Sequence, residues 1–401
     1  MTFVADSRRT FAASGARTCA KGAVRRYDVR VVAGEGSARD AVADALSAAD
    51  AATTAFQHPL WLASMFATLA TAAKAEPFAI VVRAAETSEL ALVLPVLRQD
   101  KGGLSILSFP SFGVSDYGAP VLGPVAPQEP HAAEELWRAV KPALPRADIV
   151  RLENMPRRIS GRLNPLALLT DVVSSRMSRN AIVVESTVED LLRARGKKYR
   201  KEAERCYRLL AEHGVPEFRR AETADEIRAA YRVLEDQQSE RRHAQGGSYL
   251  LDRPEYHAFY EDLLRAGTQT GFAHIFTLAA GGETCAALLG IADGESFTAL
   301  RISTAGGDWK RLSPGRLVIL EAMRYFTARG IRTFDMGIGD YAFKHGFGVE
   351  AEPLVELRIA LSAKGYLALG AHRLKEAARK AAGKHDGFMN LARGMKLFLG
   401  G

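Results

Sequence analysis

The order of apolar and polar positions along the chain predicts the same series of elements twice. Alternation with a period of two predicts strands, and apolar positions three or four residues apart predict helices. The first series is a set of strands at residues 78–84, 89–99 and 104–109, a helix at 131–140 and a strand at 148–153. The second series is a set of strands at 272–279, 284–292 and 296–303, a helix from Pro314 to Gly330 and a strand at 331–336. A repeated order of elements predicts a duplicated fold unit.

The length of the chain and the two series together predict an α/β (α+β) protein of two domains. Its 401 residues exceed what one hydrophobic core usually supports. Each domain is expected to hold a mixed, mostly antiparallel sheet flanked by helices. The expected organisation is a disordered N-terminus at 1–26, an N-terminal domain at 27–180, a C-terminal domain at 181–362 and a basic helical tail at 363–401.

The loop before the helix of the second series has the features of an anion-binding site. Ser313 is predicted as the N-cap, and Pro314, which has no N–H, as the first helical residue. The free backbone donors of the first turn are then expected on Gly315, Arg316 and Leu317. Cationic side chains surround these donors at Lys310, Arg311 and Arg316. With the helix dipole they predict a phosphate or diphosphate site, and the alternative is a capped helix with solvated cations.

The first series lacks such a loop. Residues 102–137 contain no Lys or Arg, so the corresponding helix start is not expected to bind a diphosphate. The first domain is then either a scaffold or the acceptor side of a cleft. Its long loop at 110–130 carries Ser115-Asp116-Tyr117-Gly118. A hydroxyl, a carboxylate and a phenol could hydrogen-bond sugar hydroxyls or an amine, and the alternative is an Asx-type turn before a glycine.

Five short motifs carry a resemblance to a known family. They are Phe56-Gln57-x-Pro59-x-Trp61, Ser115-Asp116-Tyr117-Gly118, Leu312-Ser313-Pro314-Gly315, Phe334-Asp335-x-Gly337-x-Gly339-Asp340 and Phe343-Lys344-x-x-Phe347. The last three resemble the acyl-CoA-binding half of a GNAT-type acetyltransferase, and the whole set resembles the CelD/BcsL-like acetyltransferases of cellulose and exopolysaccharide synthesis. Those proteins are similar in turn to the Fem-type aminoacyl transferases of peptidoglycan. The resemblance covers most of residues 50–360 and implies tandem GNAT-like domains, although the phosphate loop has one glycine where GNAT proteins usually have two.

The resemblance implies acetyl-CoA or another acyl-CoA as cosubstrate and direct transfer in a ternary complex. The backbone at Ile302 and Ser303 is expected to bind the pantetheine arm and the carbonyl. Asp340 is the first choice for positioning or deprotonating the acceptor, with Asp335 beside it, and the alternative role of Asp340 is to cap a turn. By similarity to the Fem-type enzymes, Lys344 would polarise the carbonyl or hold an anionic acceptor. The alternative for Lys344 is a surface position on a short helix.

Three further residues are candidates with a structural alternative. Tyr341 could protonate the leaving thiolate or simply pack. Trp61 is predicted chiefly as a core residue, with a substrate-lining role as the alternative. Arg200 lies in a basic stretch that is expected to be a solvated helix face, and the alternative is contact with an anionic acceptor.

The net charge of +8 is concentrated in two segments. Residues 193–208 and 364–401 each carry eight Lys or Arg against two acidic residues. They predict anionic partners, such as a phosphorylated cofactor, a nucleotide-linked acceptor or a membrane surface. No nucleic-acid-binding module is recognised. The tail is expected to dock on its own domain, or else to associate peripherally with a membrane or a polysaccharide synthase.

Cysteine use and hydropathy favour a cytoplasmic protein. The three cysteines are far apart, no apolar run reaches the ~20 residues that span a bilayer, and no His or Cys pair has metal-ligand spacing. The expected function is acyl-CoA-dependent N- or O-acylation of a glycan or cell-envelope precursor. Two alternatives are a Fem-like transferase that uses aminoacyl-tRNA and an inactive accessory subunit of polysaccharide synthesis.

Overall fold

The computed structural model describes residues 26–243, 250–294, 296–339 and 341–375. The expectations for residues 1–25, Asp340 and residues 376–401 therefore fall outside the described part of the chain. Among the described residues, no helix combines the length and the apolar character needed to cross a membrane.

The first part of the chain holds mainly strands. In chain order the elements are β1 (Tyr27–Ala33), α1 (Glu35–Leu46), α2 (Pro59–Met65), β2 (Glu76–Ala84), β3 (Leu90–Lys101), β4 (Leu104–Ser108), β5 (Val121–Leu122), α3 (Pro130–Val140), β6 (Ile149–Met155), β7 (Arg158–Ile159), β8 (Arg162–Leu163) and β9 (Val172–Val183). The predicted strands of the first series are confirmed, with ends shifted by two residues or fewer. The region 156–180, at the end of the expected first domain, contains β7, β8 and most of β9.

The second part repeats the order of the first. Its elements are α4 (Val188–Ala194), α5 (Lys197–Glu212), β10 (Glu217–Arg220), α6 (Ala224–His243), α7 (Pro254–Gly267), β11 (Ala273–Ala280), β12 (Glu283–Asp293), β13 (Ser296–Thr304), α8 (Pro314–Thr327), β14 (Thr333–Ile338), α9 (Ala342–Phe347), β15 (Glu350–Ala360) and α10 (363–375). The unit β1-α1-α2-β2-β3-β4-α3-β6 thus matches β10-α6-α7-β11-β12-β13-α8-β14. This match confirms the duplication and the α/β (α+β) class.

Thirteen described strands form one sheet, and it has the same irregularity in each half. The order is β1-β2-β3-β4-β6-β15-β9-β14-β13-β12-β11-β10, with β5 beside β3. β4 and β6 are parallel over only three residue pairs, and so are β13 and β14, which pair from Ser296–Thr333 to Thr298–Asp335. β13 continues to Thr304 and β14 to Ile338, but beyond these three pairs the two strands do not pair with each other. A gap therefore opens between them.

The two halves exchange their last strands. β9 follows the first unit in the chain, yet it pairs with β14 of the second. β15 follows the second unit, yet it pairs with β6 of the first, and β9 and β15 also pair with each other. The domain boundary expected at residue 180 therefore lies inside an exchanged strand.

A shared core joins the halves on one face of the sheet. It contains buried residues of α1 and α2 from the first half and of α6 and α7 from the second. Trp61 is fully buried there, with its ring edge-on to Phe56 and Phe259 at centroid distances of 5.1 and 5.0 Å. Burial of large aromatic rings at this contact stabilises the two halves as one body.

Capping bonds fix the starts of α4 and α6. The Thr187 hydroxyl accepts from the backbone N–H of Asp190 at 3.1 Å, and Thr223 and Glu226 form a reciprocal capping box. α4 and α5 are separate helices, because Gly196 between them adopts a left-handed backbone with φ of 89°.

Candidate active site

A buried carboxylate at the end of β14 connects three separate segments. The Tyr117 hydroxyl donates to Asp335 Oδ1 at 2.7 Å, Arg179 Nε to Oδ2 at 2.6 Å, and Gly337 N to Oδ1 at 2.8 Å. Tyr117 comes from the long loop of the first half and Arg179 from the exchanged strand β9. Asp335 is 3% exposed, so its charge is balanced chiefly by the guanidinium of Arg179.

A second carboxylate approaches the same strand end. Ile338 N donates to Asp116 Oδ2 at 3.4 Å. Gly337 has φ of 72°, and a Cβ at this position would lie 2.3 Å from Asp116 Oδ2. The glycine therefore allows both the left-handed turn and the close approach of Asp116.

Lys344 holds the turn that follows β14. Its Nζ donates to the carbonyl oxygens of Gly337 at 3.1 Å, Ile338 at 2.7 Å and Gly339 at 3.1 Å. Lys344 is 4% exposed, so the predicted surface alternative is wrong. An ammonium has three N–H donors, and these contacts direct it to the backbone of the turn. We call Asp116, Tyr117, Arg179, Asp335 and Lys344 the junction cluster, because it joins the two halves.

The junction cluster shifts the proton affinity of its acids. Burial, and next the negative charge of Asp335, raise the pKa of Asp116 to about 7, against the opposing effects of the Ile338 N–H and Lys344. Burial and the charge of Asp335 likewise raise the pKa of the Tyr117 phenol well above its usual value. Asp116 thus exchanges its proton near neutral pH, as a general base or acid must.

The gap between β13 and β14 exposes part of the β13 backbone. Leu300 is an extra residue in β13, because Leu289 pairs with Arg301 and Gly290 with Ala299. Ala305 N donates to Cys285 O at 2.9 Å, and hydrogen-bonded pairs alternate in an antiparallel ladder. Ile302, an odd number of residues from Ala305, therefore directs its N–H and C=O into the gap.

Helix α6 already contacts both predicted pantetheine-binding residues. Gln238 Nε2 donates to the carbonyl of Ile302 at 2.8 Å, and the Ser303 hydroxyl donates to Gln237 Oε1 at 2.7 Å. A pantetheine amide would have to share the Ile302 carbonyl with Gln238, or displace its side chain. The Ile302 N–H faces the same gap.

The start of α8 differs in part from the prediction. Pro314 is the first helical residue, but Ser313 has a left-handed backbone, with φ and ψ of 49°, and its hydroxyl makes no capping bond. The Ser313 carbonyl accepts from Arg316 N at 2.9 Å and from Leu317 N at 3.4 Å. The expectation of three free amides is therefore wrong for Arg316 and Leu317. Leu317 N is the fourth amide of the turn and bonds as in any α-helix, and Arg316 N forms an additional 3₁₀-type bond.

The cationic side chains at this helix start remain available to an anion. Lys310 and Arg311 are exposed on the 3₁₀ turn before α8. The Arg316 guanidinium lies 5.0 Å from the ring centroid of Tyr199, and its buried Nη1 has no hydrogen-bond partner among the described residues. Tyr199 also packs edge-on against Phe347 of α9, so it lies between Arg316 and the helix that carries Lys344. Because an unpaired charged donor is costly, an anion beside Arg316 would be stabilised.

Other predicted residues are placed differently. The Trp61 indole donates to the Ser115 hydroxyl at 3.0 Å, and both are buried, so neither is open to a substrate in this structure. Arg200 is half-buried on α5 and lies near Glu204. Tyr341 is 57% exposed, and its ring centroid is 5.2 Å from Lys344 Nζ. Asp340 itself lies outside the described residues.

Sequence reasoning missed two residues of the site, both on β9. Arg179 holds Asp335, and Asn180 Nδ2 donates to the carbonyls of Gly337 at 2.9 Å and Gly339 at 3.1 Å. A signal for β9 was present, because β-branched residues occur at both ends of the run from Val172 to Val183. Nothing local indicated that this strand would pair with β14.

The described residues contain no group of three His, Cys, Asp or Glu that could hold a metal ion.

Residues 197–345 match the family model described as an acetyltransferase (GNAT) domain. The structure of FemX is similar with a TM-score of 0.57 and 12% identity, over 85% of this chain and 99% of that chain. The C-terminal domain (DUF2156) of a putative lysylphosphatidylglycerol synthetase from Agrobacterium fabrum is similar with a TM-score of 0.51 and 12% identity, over 84% and 96%.

No curated protein sequence matches the chain. At these identities the two structural similarities concern the fold, whereas the family model concerns the second half of the sequence. Residues 197–345 are therefore similar to a GNAT acetyltransferase domain, and they lie within a fold similar to that of FemX.

Proposed function

We propose that the protein transfers an acyl group from acyl-CoA to an amine or hydroxyl of a glycan or cell-envelope precursor in the cytoplasm. One observation carries the proposal: the junction cluster brings acids and bases of both halves to the end of β14, beside the gap between β13 and β14. The GNAT domain would supply the donor side and the loop with Asp116 the acceptor side. The motifs that resemble CelD/BcsL-like proteins favour an exopolysaccharide or cellulose precursor as the acceptor.

In this reaction the acceptor nitrogen or oxygen forms a bond to the thioester carbonyl carbon, and the carbon–sulfur bond breaks. We assign Asp116 to accept the proton that the acceptor loses, because its pKa lies at about 7. Lys344 fixes the turn whose Ile338 N–H points to Asp116, and so positions the base. The exposed Tyr341 is assigned to protonate the departing thiolate. Asp340 stays a candidate for holding the acceptor.

The Asp116 assignment predicts a specific pH profile. The value of kcat/KM should rise as pH increases through about 7, because only the ionised carboxylate accepts a proton. Asp116→Asn should abolish this rise and lower kcat by roughly 10²–10⁴-fold. Asp293→Asn is the matched control, since burial raises the pKa of Asp293 as well, outside the junction cluster. A pH profile that Asp116→Asn leaves unchanged would refute the assignment.

The same pKa shift has a consequence for stability. A carboxyl whose pKa is higher in the folded state makes the folded protein bind more protons than the unfolded chain. Its contribution is fully present below the ordinary pKa of 3.8 and is lost as pH rises to about 7. Asp116→Asn should therefore reduce the loss of stability between these pH values, which thermal unfolding across that range measures.

The donor assignment is tested by binding of acetyl-CoA to the purified protein. Arg316→Met should weaken binding by about tenfold or more, because a charge-assisted bond to phosphate contributes about 1.5–3 kcal/mol. Arg329→Met is the matched control. Arg329 lies just after the C-terminal end of α8, and its guanidinium carbon lies 3.6 Å from the ring centroid of Tyr325. Calorimetry should show weaker binding for the first variant and unchanged binding for the second. Equal affinities in both variants would contradict a phosphate contact at Arg316.

A second candidate donor is aminoacyl-tRNA, as the resemblance to Fem-type transferases suggests. The observation in its favour is the basic N-terminal half of α5, where Lys197, Lys198 and Lys201 are exposed beside the α8 start. A polyanion would contact several of these lysines, whereas CoA would need only the helix start. Lys197→Glu/Lys201→Glu should then remove tRNA binding and leave acetyl-CoA binding unchanged. If neither donor binds to the wild-type protein, the transferase proposal fails and the accessory role is favoured.

A further inference from the structure

Helix α10 presents its large apolar side chains outward. Successive residues of a helix are separated by about 100°, so Tyr366, Leu367 and Leu374 lie within an arc of about 100°. Their exposed fractions are 69%, 77% and 74%. The small residues Ala363, Gly370 and Ala371 are also exposed and lie on or next to this arc.

The opposite side of α10 faces the protein. Gly365 is buried, and a Cβ there would lie 2.0 Å from the carbonyl oxygen of Asp148. Ala368 and Leu369 are half-buried on this side, and His372 contacts the guanidinium of Arg358. The helix thus docks mainly through small and polar groups together with Leu369, while three other large apolar side chains face outward.

Cations border the outward apolar face on both sides. Viewed along the helix axis, Arg373 lies about 20° outside the apolar arc on the side of Tyr366. Lys364 and Lys375 lie about 60–80° outside it on the side of Leu367. All three are exposed, and residues 363–375 contain no Asp or Glu. We call Lys364, Tyr366, Leu367, Arg373, Leu374 and Lys375 the α10 face.

We propose that the α10 face binds the surface of an anionic phospholipid bilayer. An apolar helix face that is flanked by cations can place its apolar side chains at the boundary of head groups and acyl chains, while the cations meet lipid phosphates. A second copy is a poor occupant of the same face, since it would bring three cations against three others without a counter-charge. The inference goes beyond the transferase proposal and does not depend on it.

The test is sedimentation of the full-length protein with vesicles. Wild-type protein should bind vesicles that contain about one quarter phosphatidylglycerol, bind phosphatidylcholine vesicles much more weakly, and dissociate at about 0.5 M salt, where the Debye length is about 4 Å. Leu367→Ser/Leu374→Ser should lower the partition coefficient about tenfold or more. Val215→Ser is its matched control, because Val215 is 80% exposed elsewhere on the surface.

A charge variant tests the electrostatic part separately. Lys364→Glu/Arg373→Glu/Lys375→Glu should lower binding to the anionic vesicles about tenfold or more. Lys74→Glu/Lys101→Glu is the control at two other exposed lysines and should bind as the wild type does.

Three results would overturn the proposal. The first is a wild-type protein that fails to bind anionic vesicles, as expected if an acidic protein partner occupies the face. The second is a set of α10 variants that bind as the wild type does, which would assign membrane binding to another segment. The third is a loss of thermal stability in Leu367→Ser/Leu374→Ser. This loss is expected if residues 376–401 of the same chain cover the α10 face. That result would also refute the proposal.

Discussion

Asp335→Ala should lower the free energy of unfolding by about 3–5 kcal/mol, because it removes one partner of a buried ion pair. The variant leaves the guanidinium of Arg179 and the buried hydroxyl of Tyr117 without their shared acceptor. It also removes a contact between segments 218 residues apart in the sequence. Urea unfolding of the wild type and the variant at the same pH measures the effect.

A matched surface pair provides the control for this measurement. Arg228 and Asp225 form an exposed salt bridge on α6, with side chains 59% and 91% exposed. Asp225→Ala should change stability by about 1 kcal/mol or less, since exposed pairs contribute little. If Asp335→Ala proved no more destabilising than Asp225→Ala, Asp335 would not connect the halves in the way described.

Lys344→Met should also be destabilised, by about 2–4 kcal/mol, because the turn after β14 loses a buried donor that its carbonyls share. Its main expected effect is a drop in kcat of roughly 100-fold or more, since the displaced Ile338 N–H would no longer position Asp116. Thermal unfolding and steady-state kinetics on the same sample measure the two effects. A stable variant with normal kcat would exclude Lys344 from both roles.

Lys101→Met is the control, because Lys101 is exposed at the end of β3. It should match the wild type in both measurements. Lys344→Arg separates charge from shape: it keeps a cation but cannot place three donors at one point. An intermediate kcat for this variant would indicate that geometry as well as charge matters at the turn.

Much of the fold was accessible from local patterns. The apolar run of residues 284–292 and the strand pattern of residues 296–303 identified β12 and β13 to within a residue, and the capping pattern of Thr223 and Glu226 is typical of a helix start. Such signals depend on neighbours in sequence, so one chain suffices to read them. The duplication followed from the order of these elements.

The strand exchange could not be predicted in this way. The pairing of β9 with β14, and of β15 with β6, depends on contacts between distant parts of the chain. The sequence singled out Tyr117 and Asp335 as separate candidates. Only the exchange of strands brings Arg179 of β9 into contact with Asp335. The buried position of Lys344 was not foreseen either, since its three carbonyl acceptors come together only in the folded turn.

The exchange of β9 and β15 also constrains how the molecule is completed during synthesis. The edge of β6 lacks its neighbour until residues 350–360 have left the ribosome, so the first unit keeps an open strand edge while the second is being made. Unpaired edges attract other strands. A nascent chain released early would expose β6 and β9 together, and the finished protein removes both edges in a single closing step.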